Sequence, residues 1–345
     1  MVFRHRARVL AIGGLLGLLQ SAHPAMAQQP PRNADAAASL LGNWRIVPVH
    51  GELVPREEAG FVAVGGKFFL VGGRGMNPVD IYDPKTSSWT RGAVPPVEIH
   101  HFQPVEYGGR IYVINAMTGP YPDETPIPYV LIYDPAKDQW SKGPEIPAAR
   151  RRGCSGLVVR GGKIYVVAGI LHGHMSGFVP WADIFDPHTG RWQILPDAPH
   201  ARDHFQAAIV GDKLYAAGGR RSSGATKQVF DLTVAPVDVF DFRSGKWSVL
   251  AHDLPVPSAG GMTAAVGGSL LVIGGESMAQ TAAHSEVQAY DTVSGRWQQL
   301  PPLAQGSHGT GAIVSHGQVF IASGAGNRGG SPVLPTLQSA PLLRK

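Results

Sequence analysis

Proton-transfer chemistry in this 345-residue chain would fall first to three adjacent pairs, Glu57-Glu58, His100-His101 and Asp203-His204, and to His308. A carboxylate and an imidazole held a few ångströms apart shift each other's proton affinity towards neutrality, as general acid/base work requires. Glu57, Glu58, His101, His204 and His308 are therefore the candidate catalytic set. Arg74, Arg152, Arg202 and Arg220 carry planar guanidinium forks that match carboxylates and phosphates, and with Asp203, Glu276, His100, His172 and His174 they form the candidate ligand-binding set. Tyr121 and Trp181 stand outside the repeating aromatic positions and could stack on a sugar or another flat ligand. Metal ligation could join His172 with His174, or His101 with His204 and Glu58. No compact metal-binding signature occurs, so neither a metal nor a cofactor is expected. The lone Cys154 excludes an intramolecular disulfide and reads as a packed small residue.

These residues lie far apart in sequence, so only an architecture that brings separate segments to one point could unite them. The chain carries a repeat that would do so. Trp44, Trp89, Trp140, Trp192, Trp247 and Trp297 recur at intervals of 45 to 55 residues, and five of them follow an aromatic-Asp pair: Tyr82-Asp83, Tyr133-Asp134, Phe185-Asp186, Phe240-Asp241 and Tyr290-Asp291. Ahead of each pair lie two apolar runs around a turn, as in Phe61 to Gly73 and Ala207 to Gly219. A diglycine ends the second run at Gly72-Gly73, Gly218-Gly219 and Gly274-Gly275, and is altered to Asn115-Ala116, Ala168-Gly169 and Ser323-Gly324.

The unit resembles the kelch repeat over nearly all of residues 43 to 340, which implies an all-β, six-bladed propeller. A four-stranded blade cannot cover its own faces, so blades stack radially and close into a ring. Trp44 to Pro48 matches a last strand with no earlier strands before it, and the final copy, from His308, lacks that strand. The N-terminal strand is therefore expected to complete the last blade. Antiparallel order puts the connections between blades and the long loops within them (115–128, 170–182, 220–236, 276–286 and 325–335) on one face, and function is expected there. Aligned on strand starts, one column at the channel mouth reads Glu57, His100, Gly153, Asp203, Ala259, His308. The next reads Glu58, His101, Cys154, His204, Gly260, Gly309, and Arg74, Met117, Ile170, Arg220, Glu276 and Ala325 follow the diglycine positions.

Composition sets the outer limits. A hydrophobic share of 43% with 16% charged residues suits a large core, and 44 glycines with 29 prolines suit turn-rich β-structure. Residues 1–27 read as a secretory leader: Arg4, Arg6 and Arg8, an apolar stretch from Val9 to Leu19, and Ala25-Met26-Ala27 with cleavage after Ala27. That stretch is too short to span a bilayer, so no integral membrane segment is expected after removal of the leader, and a periplasmic or secreted protein is. Residues 28–41 read as a flexible linker and 42–345 as one propeller. Without the three leader arginines the formal net charge falls from +5 to +2, which argues against a nucleic-acid partner. A monomer is expected.

Ligand recognition is the leading expectation, with a small molecule, anionic or carbohydrate, or a protein bound on the loop face. In size and export the chain is also similar to the periplasmic sialic-acid mutarotases (N-acetylneuraminate epimerases). That resemblance implies an acidic sugar held by arginines over an acid/base carboxylate, with Glu57, Glu58, Arg74, Arg202 and Arg220 the matching residue types. The copper-radical oxidases of the galactose oxidase type also carry a kelch domain, but imply seven blades and a Cys-Tyr pair that this chain does not offer.

Overall fold

The computed structural model describes residues 39–343; the expected leader and most of the expected linker lie outside them. The described residues form six four-stranded antiparallel sheets and a small two-stranded ladder. Each blade runs from an inner strand a to an outer strand d, as in Ala59–Val64, Lys67–Gly72, Asp80–Asp83 and Ser88–Arg91 of the first. Short 3-10 turns at Ala148–Arg150 and Gly224–Thr226 are the helical elements among the described residues.

The repeated residues explain the blade. The aromatic of strand c pairs in register with the Trp of strand d, as Tyr82 with Trp89, Phe185 with Trp192 and Tyr290 with Trp297. Their rings lie 5.1, 4.8 and 5.3 Å apart. Such cross-strand aromatic pairs are the unit of sheet stabilisation. The following Asp closes the c–d turn by accepting a backbone N–H, as Asp83 does from Lys85 and Asp291 from Val293. Four tryptophans also tie neighbouring blades: the indole N–H groups of Trp140, Trp192, Trp247 and Trp297 donate to carbonyls of Ala93, Glu145, Pro196 and His252 in the preceding blade.

Closure follows the expected route. Arg45–Ile46 pairs antiparallel with Leu337–Pro341 and supplies strand d of the blade whose other strands are C-terminal. Leu41, assigned to the linker from sequence, is fully buried and bridges Leu342. The ordered body therefore begins before residue 42, because an apolar pocket between the first and last segments takes up this side chain. Trp44 is buried in the same cluster with Met262, Leu271, Ile273 and Val319. Trp44→Ala is expected to destabilise the protein by about 3–5 kcal/mol in denaturant unfolding, since it empties a core site at the seam.

Two long loops are not irregular, contrary to the sequence expectation. In the third blade, strands b and c run on as Lys163–His172 and Ser176–Asp186, so the presumed loop is a protruding hairpin with His174 at its tip. In the second, Met117–Thr118 pairs with Thr125–Pro126 and presents Glu124 beside that tip. Ile170 paired with Phe178, and Gly169 with Val179, extend the ladder beyond the blade, a local β-preference that overrides the glycines around it.

Candidate functional site

The second aligned column forms the floor of the site. Glu58, His101, Cys154 and His204 all have positive φ, between 52° and 57°, and Gly260 and Gly309 continue the pattern at 63° and 67°. Side-chain-bearing residues rarely adopt this conformation, and here a backbone chain from blade to blade sustains it. His101 N–H donates to Glu58 O (2.9 Å), Cys154 N–H to His101 O (3.0 Å), Gly260 N–H to His204 O (2.6 Å), Gly309 N–H to Gly260 O (2.8 Å) and Ala59 N–H to Gly309 O (3.1 Å). The first column is anchored differently, five of its six residues bridging the one after the diglycine position: His100 with Met117, Gly153 with Ile170, Asp203 with Arg220, Ala259 with Glu276 and His308 with Ala325. This contact explains the glycines. A Cβ on Gly219, which has φ +87°, would lie 2.6 Å from Asp203 O.

Above this floor a cavity of about 470 Å³ opens on the long-loop face, lined by Glu57, Glu58, Arg74, His101, Tyr121, His174, Arg220, Phe230, Glu276, His308 and Gly329. Seven of these carry ionisable groups named from sequence as catalytic or ligand-binding, besides Tyr121 and His174, so residues from all six blades meet at one point. Phe230 and the backbone of Gly329 were not foreseen, because they come from loops with no repeat position to mark them. Glu124 was also missed. It stands at the loop tip, where its carboxylate accepts from Arg74 (2.6 Å) and from the N–H and Nδ1–H of His174 (3.2 and 3.0 Å).

Several expected contacts are absent. Arg152 and Arg202 point away from the cavity, fully buried, and pair with Asp183 (2.8 Å) and Asp238 (2.9 Å) while donating to carbonyls under their own blades. Arg56 does the same with Asp80. They are struts between strands, so the sequence expectation that they contact ligand is corrected. Trp181 lies outside the cavity with the Arg150 guanidinium stacked 4.5 Å over its ring, and His172 is exposed on the outer hairpin. Cys154 packs with Met117 and Ile170, and burial pushes its thiol well above the usual range.

The electrostatics of the cavity are dominated by carboxylates. Arg220 is buried against Glu276, with Asp203 4.0 Å away, and Arg74 is held by Glu124 with Glu57 at 3.8 Å. Both guanidiniums are thus committed to protein carboxylates. Burial pushes Glu57 up to about 7, with Arg74 opposing and Glu276 reinforcing the rise. Burial and the neighbouring Glu57 charge likewise raise Glu58 to about 7. Despite burial, the His174 and Arg74 hydrogen bonds hold Glu124 down to about 2.

His101, His174 and His204 converge at the floor, all buried, with ring centroids 4.6 to 5.0 Å apart and one nitrogen of each within 4.8 Å of the others. The two imidazole groupings considered from sequence are thereby replaced by one. His174 joins His101 and His204, and His172 does not. Only the hairpin, invisible in the repeat spacing, brings His174 over the axis.

Two outcomes follow. Arg202→Met removes the guanidinium from the buried Asp238, leaving His200 as its remaining partner, and is expected to lower stability by about 3–5 kcal/mol in chemical denaturation without altering the cavity groups. Glu57 holds its proton more tightly folded than unfolded, so its contribution to stability is full below about pH 4.5 and is lost as pH rises through about 7. Glu57→Gln is therefore expected to raise stability by about 1–3 kcal/mol at pH 8 and to change it little at pH 4, measured by urea unfolding at both values.

Comparison with known proteins agrees with this architecture. The family model described as the KLHDC2/KLHL20/DRC7 Kelch-repeats domain matches residues 105–324, and the Kelch motif matches residues 55–93. Kelch-like protein terF of Aspergillus terreus is 29% identical over 322 residues, covering 87% of this chain and 68% of that protein. Human Kelch-like protein 23 is 24% identical over 289 residues, and there this chain spans only 47% of the relative's length. The solved structure of YjhT shares the fold with a TM-score of 0.70 at 17% identity, over 85% of this chain and 96% of that one. On the family match across most of the propeller, and on six blades of which five carry the repeat's aromatic-Asp pair, this chain belongs to the kelch-repeat family.

Proposed function

We propose that the axial cavity binds a compact polar molecule and transfers a proton to or from it, with Glu57 as the acid/base group. Kelch propellers bind ligands or proteins, and the choice between these rests on the shape of the binding face. The observation that carries the small-molecule reading is the cavity itself: about 470 Å³, concave, and lined by Glu57, Glu58, Glu276 and His308 on strand ends that are fixed by the blade framework. Sites of this size with a few convergent polar groups suit small ligands. A carboxyl group that is part-protonated near pH 7 can accept and return a proton within one turnover.

The charge balance modifies the ligand expected from sequence. Arg74 and Arg220 already satisfy Glu124 and Glu276, so a second anion would have to displace a protein carboxylate. A neutral polyhydroxylated or amine-bearing ligand fits better than an acidic sugar, with Tyr121 and Phe230 offering ring faces at the rim. The leader-like residues 1–27 support placing this activity in the periplasm or outside the cell. One observation favours a second reading, in which a protein docks on the same face: Met76, Tyr121, Met278 and Val333, all in connections between strands b and c, are exposed apolar side chains.

A thermal-shift panel of neutral sugars, amino sugars and uronic acids tests the proposal. A ligand at 100 times its Kd adds about 2.7 kcal/mol. Neutral or amine-bearing compounds are expected to raise the midpoint. Glu57→Gln is expected to retain binding and to slow proton exchange or anomer interconversion of the bound compound, followed by NMR, by about 10²–10⁴-fold. Binding of uronic acids alone, abolished by Arg74→Ala, would replace the proposal with an anion clamp. Absence of any shift would refute it in favour of the protein-docking surface.

A further inference from the structure

We propose that His101, His174 and His204 form a three-imidazole site for one divalent first-row transition-metal ion, with an open coordination position facing the cavity. The positions of the imidazole protons decide which ring nitrogens are free to bind an ion. His204 Nδ1 lies 2.5 Å from Asp203 Oδ1, and the Asp203 carboxylate also accepts from the Ser222 hydroxyl (2.7 Å) and backbone N–H (2.8 Å). His174 Nδ1 lies 3.0 Å from Glu124 Oε2, whose other oxygen accepts from Arg74. Both carboxylates are surrounded by donors, so both histidines carry their proton on Nδ1. The third histidine reaches the same state through a relay. His100 Nε2 donates to Gly119 O (3.2 Å), which leaves His100 Nδ1 as the acceptor for His101 Nδ1–H at 2.6 Å. Tautomers follow from the partner of the opposite nitrogen, and here every partner assigns the proton to Nδ1.

Three Nε2 lone pairs therefore converge with no proton among them. His174 Nε2 and His204 Nε2 are only 3.0 Å apart, and His101 Nε2 is fully buried without a hydrogen bond, its nearest carboxylate oxygen, Glu58 Oε2, being 3.4 Å away. Lone pairs facing each other in a buried site repel unless a cation lies between them. A tetrahedral ion bound at about 2.0–2.1 Å by imidazole nitrogens needs those nitrogens roughly 3.3 Å apart; the His174–His204 pair stands at 3.0 Å, and the ligand nitrogens of all three histidines lie within 4.8 Å of one another.

The surroundings fit as well. Each presumed ligand has its second nitrogen oriented by Asp203, Glu124 or His100, the arrangement that holds metal-binding histidines in place. Five carboxylates, Glu57, Glu58, Glu124, Asp203 and Glu276, face two guanidiniums, Arg74 and Arg220, so a dication reduces a local excess of negative charge. Imidazole donors without thiolate suit zinc, copper, nickel or iron, and a three-ligand set open to a cavity has the form of a reactive centre rather than a closed structural one. The site goes beyond the acid/base reading and stands without it, since no contact in this argument involves a cavity ligand.

The test strips the purified protein with a chelator and titrates it with Zn²⁺, Cu²⁺ and Co²⁺ by calorimetry and by Co²⁺ visible absorption. The expected result is one ion per chain and the intense spectrum of four- or five-coordinate Co²⁺. His174→Ala and His204→Ala should each abolish tight binding, Glu124→Gln should weaken it about 10–100-fold, and His172→Ala, on the same hairpin but outside the site, should leave it unchanged. Circular dichroism confirms that each variant is folded, and Glu124→Gln keeps the test informative if an alanine variant is not. No stoichiometric binding by the folded wild type, or binding that survives both alanine substitutions, would overturn the proposal. Metal binding with no hit in the sugar panel would sink the acid/base reading and leave this site standing, and the reverse result would do the opposite.

Discussion

The site depends on the backbone chain at the axis, in which residues of successive blades donate N–H groups to one another's carbonyls while held in the left-handed region. Each such conformation costs a non-glycine residue of order 1–3 kcal/mol, so Glu58, His101, Cys154 and His204 occupy it only because ring closure determines their geometry. The consequence is directional. A left-handed residue at the start of strand a turns its side chain off the strand line and towards the axis, where blade stacking alone would have buried it between sheets. Two of the six positions use glycine, and the four that do not include three of the polar groups that meet at the floor.

Around that ring the molecule separates framework from function by layer. Buried Arg56, Arg152 and Arg202 pair with Asp80, Asp183 and Asp238 and lock strand c to the chain entering strand a. One residue nearer the axis, Asp203 and His100 orient the imidazoles beside them. Beyond the blades, the loops contribute Phe230 and Gly329 to the cavity wall and carry His174, held by Glu124, in to the floor. Arginines thus do opposite jobs 18 residues apart in the repeat, as Arg56 against Arg74 and Arg202 against Arg220, and a dedicated Asp on strand c distinguishes a strut from a cavity residue.

The cavity carries more negative than positive charge in a poorly hydrated setting, and this excess accounts for its behaviour. Burial, reinforced by neighbouring carboxylates, raises Glu57 and Glu58 to about 7, while Glu124, satisfied by His174 and Arg74, is held low. A cation at the three imidazoles and a proton on Glu57 are two answers to the same imbalance, one at the floor and one at the rim.

Much of this was legible in the residues. Aromatic-Asp pairs, tryptophans and diglycines repeat because each blade solves the same packing problem, so their spacing alone determined the six blades, the seam closed by Trp44 and Arg45–Ile46, and the columns that hold Glu57, Glu58, His100, His101, Asp203, His204 and His308. What only the tertiary structure decided lies off that period. The hairpin Lys163–Asp186 carries His174 across to the axis, and the neighbouring loop brings Glu124 against it, from positions that no column contains. The direction of Arg152 and Arg202 was equally hidden, because an arginine's partner is set by which Asp the adjacent strand buries beside it. Periodic residues report the interactions every blade shares; a site built where unlike loops meet has no period to report.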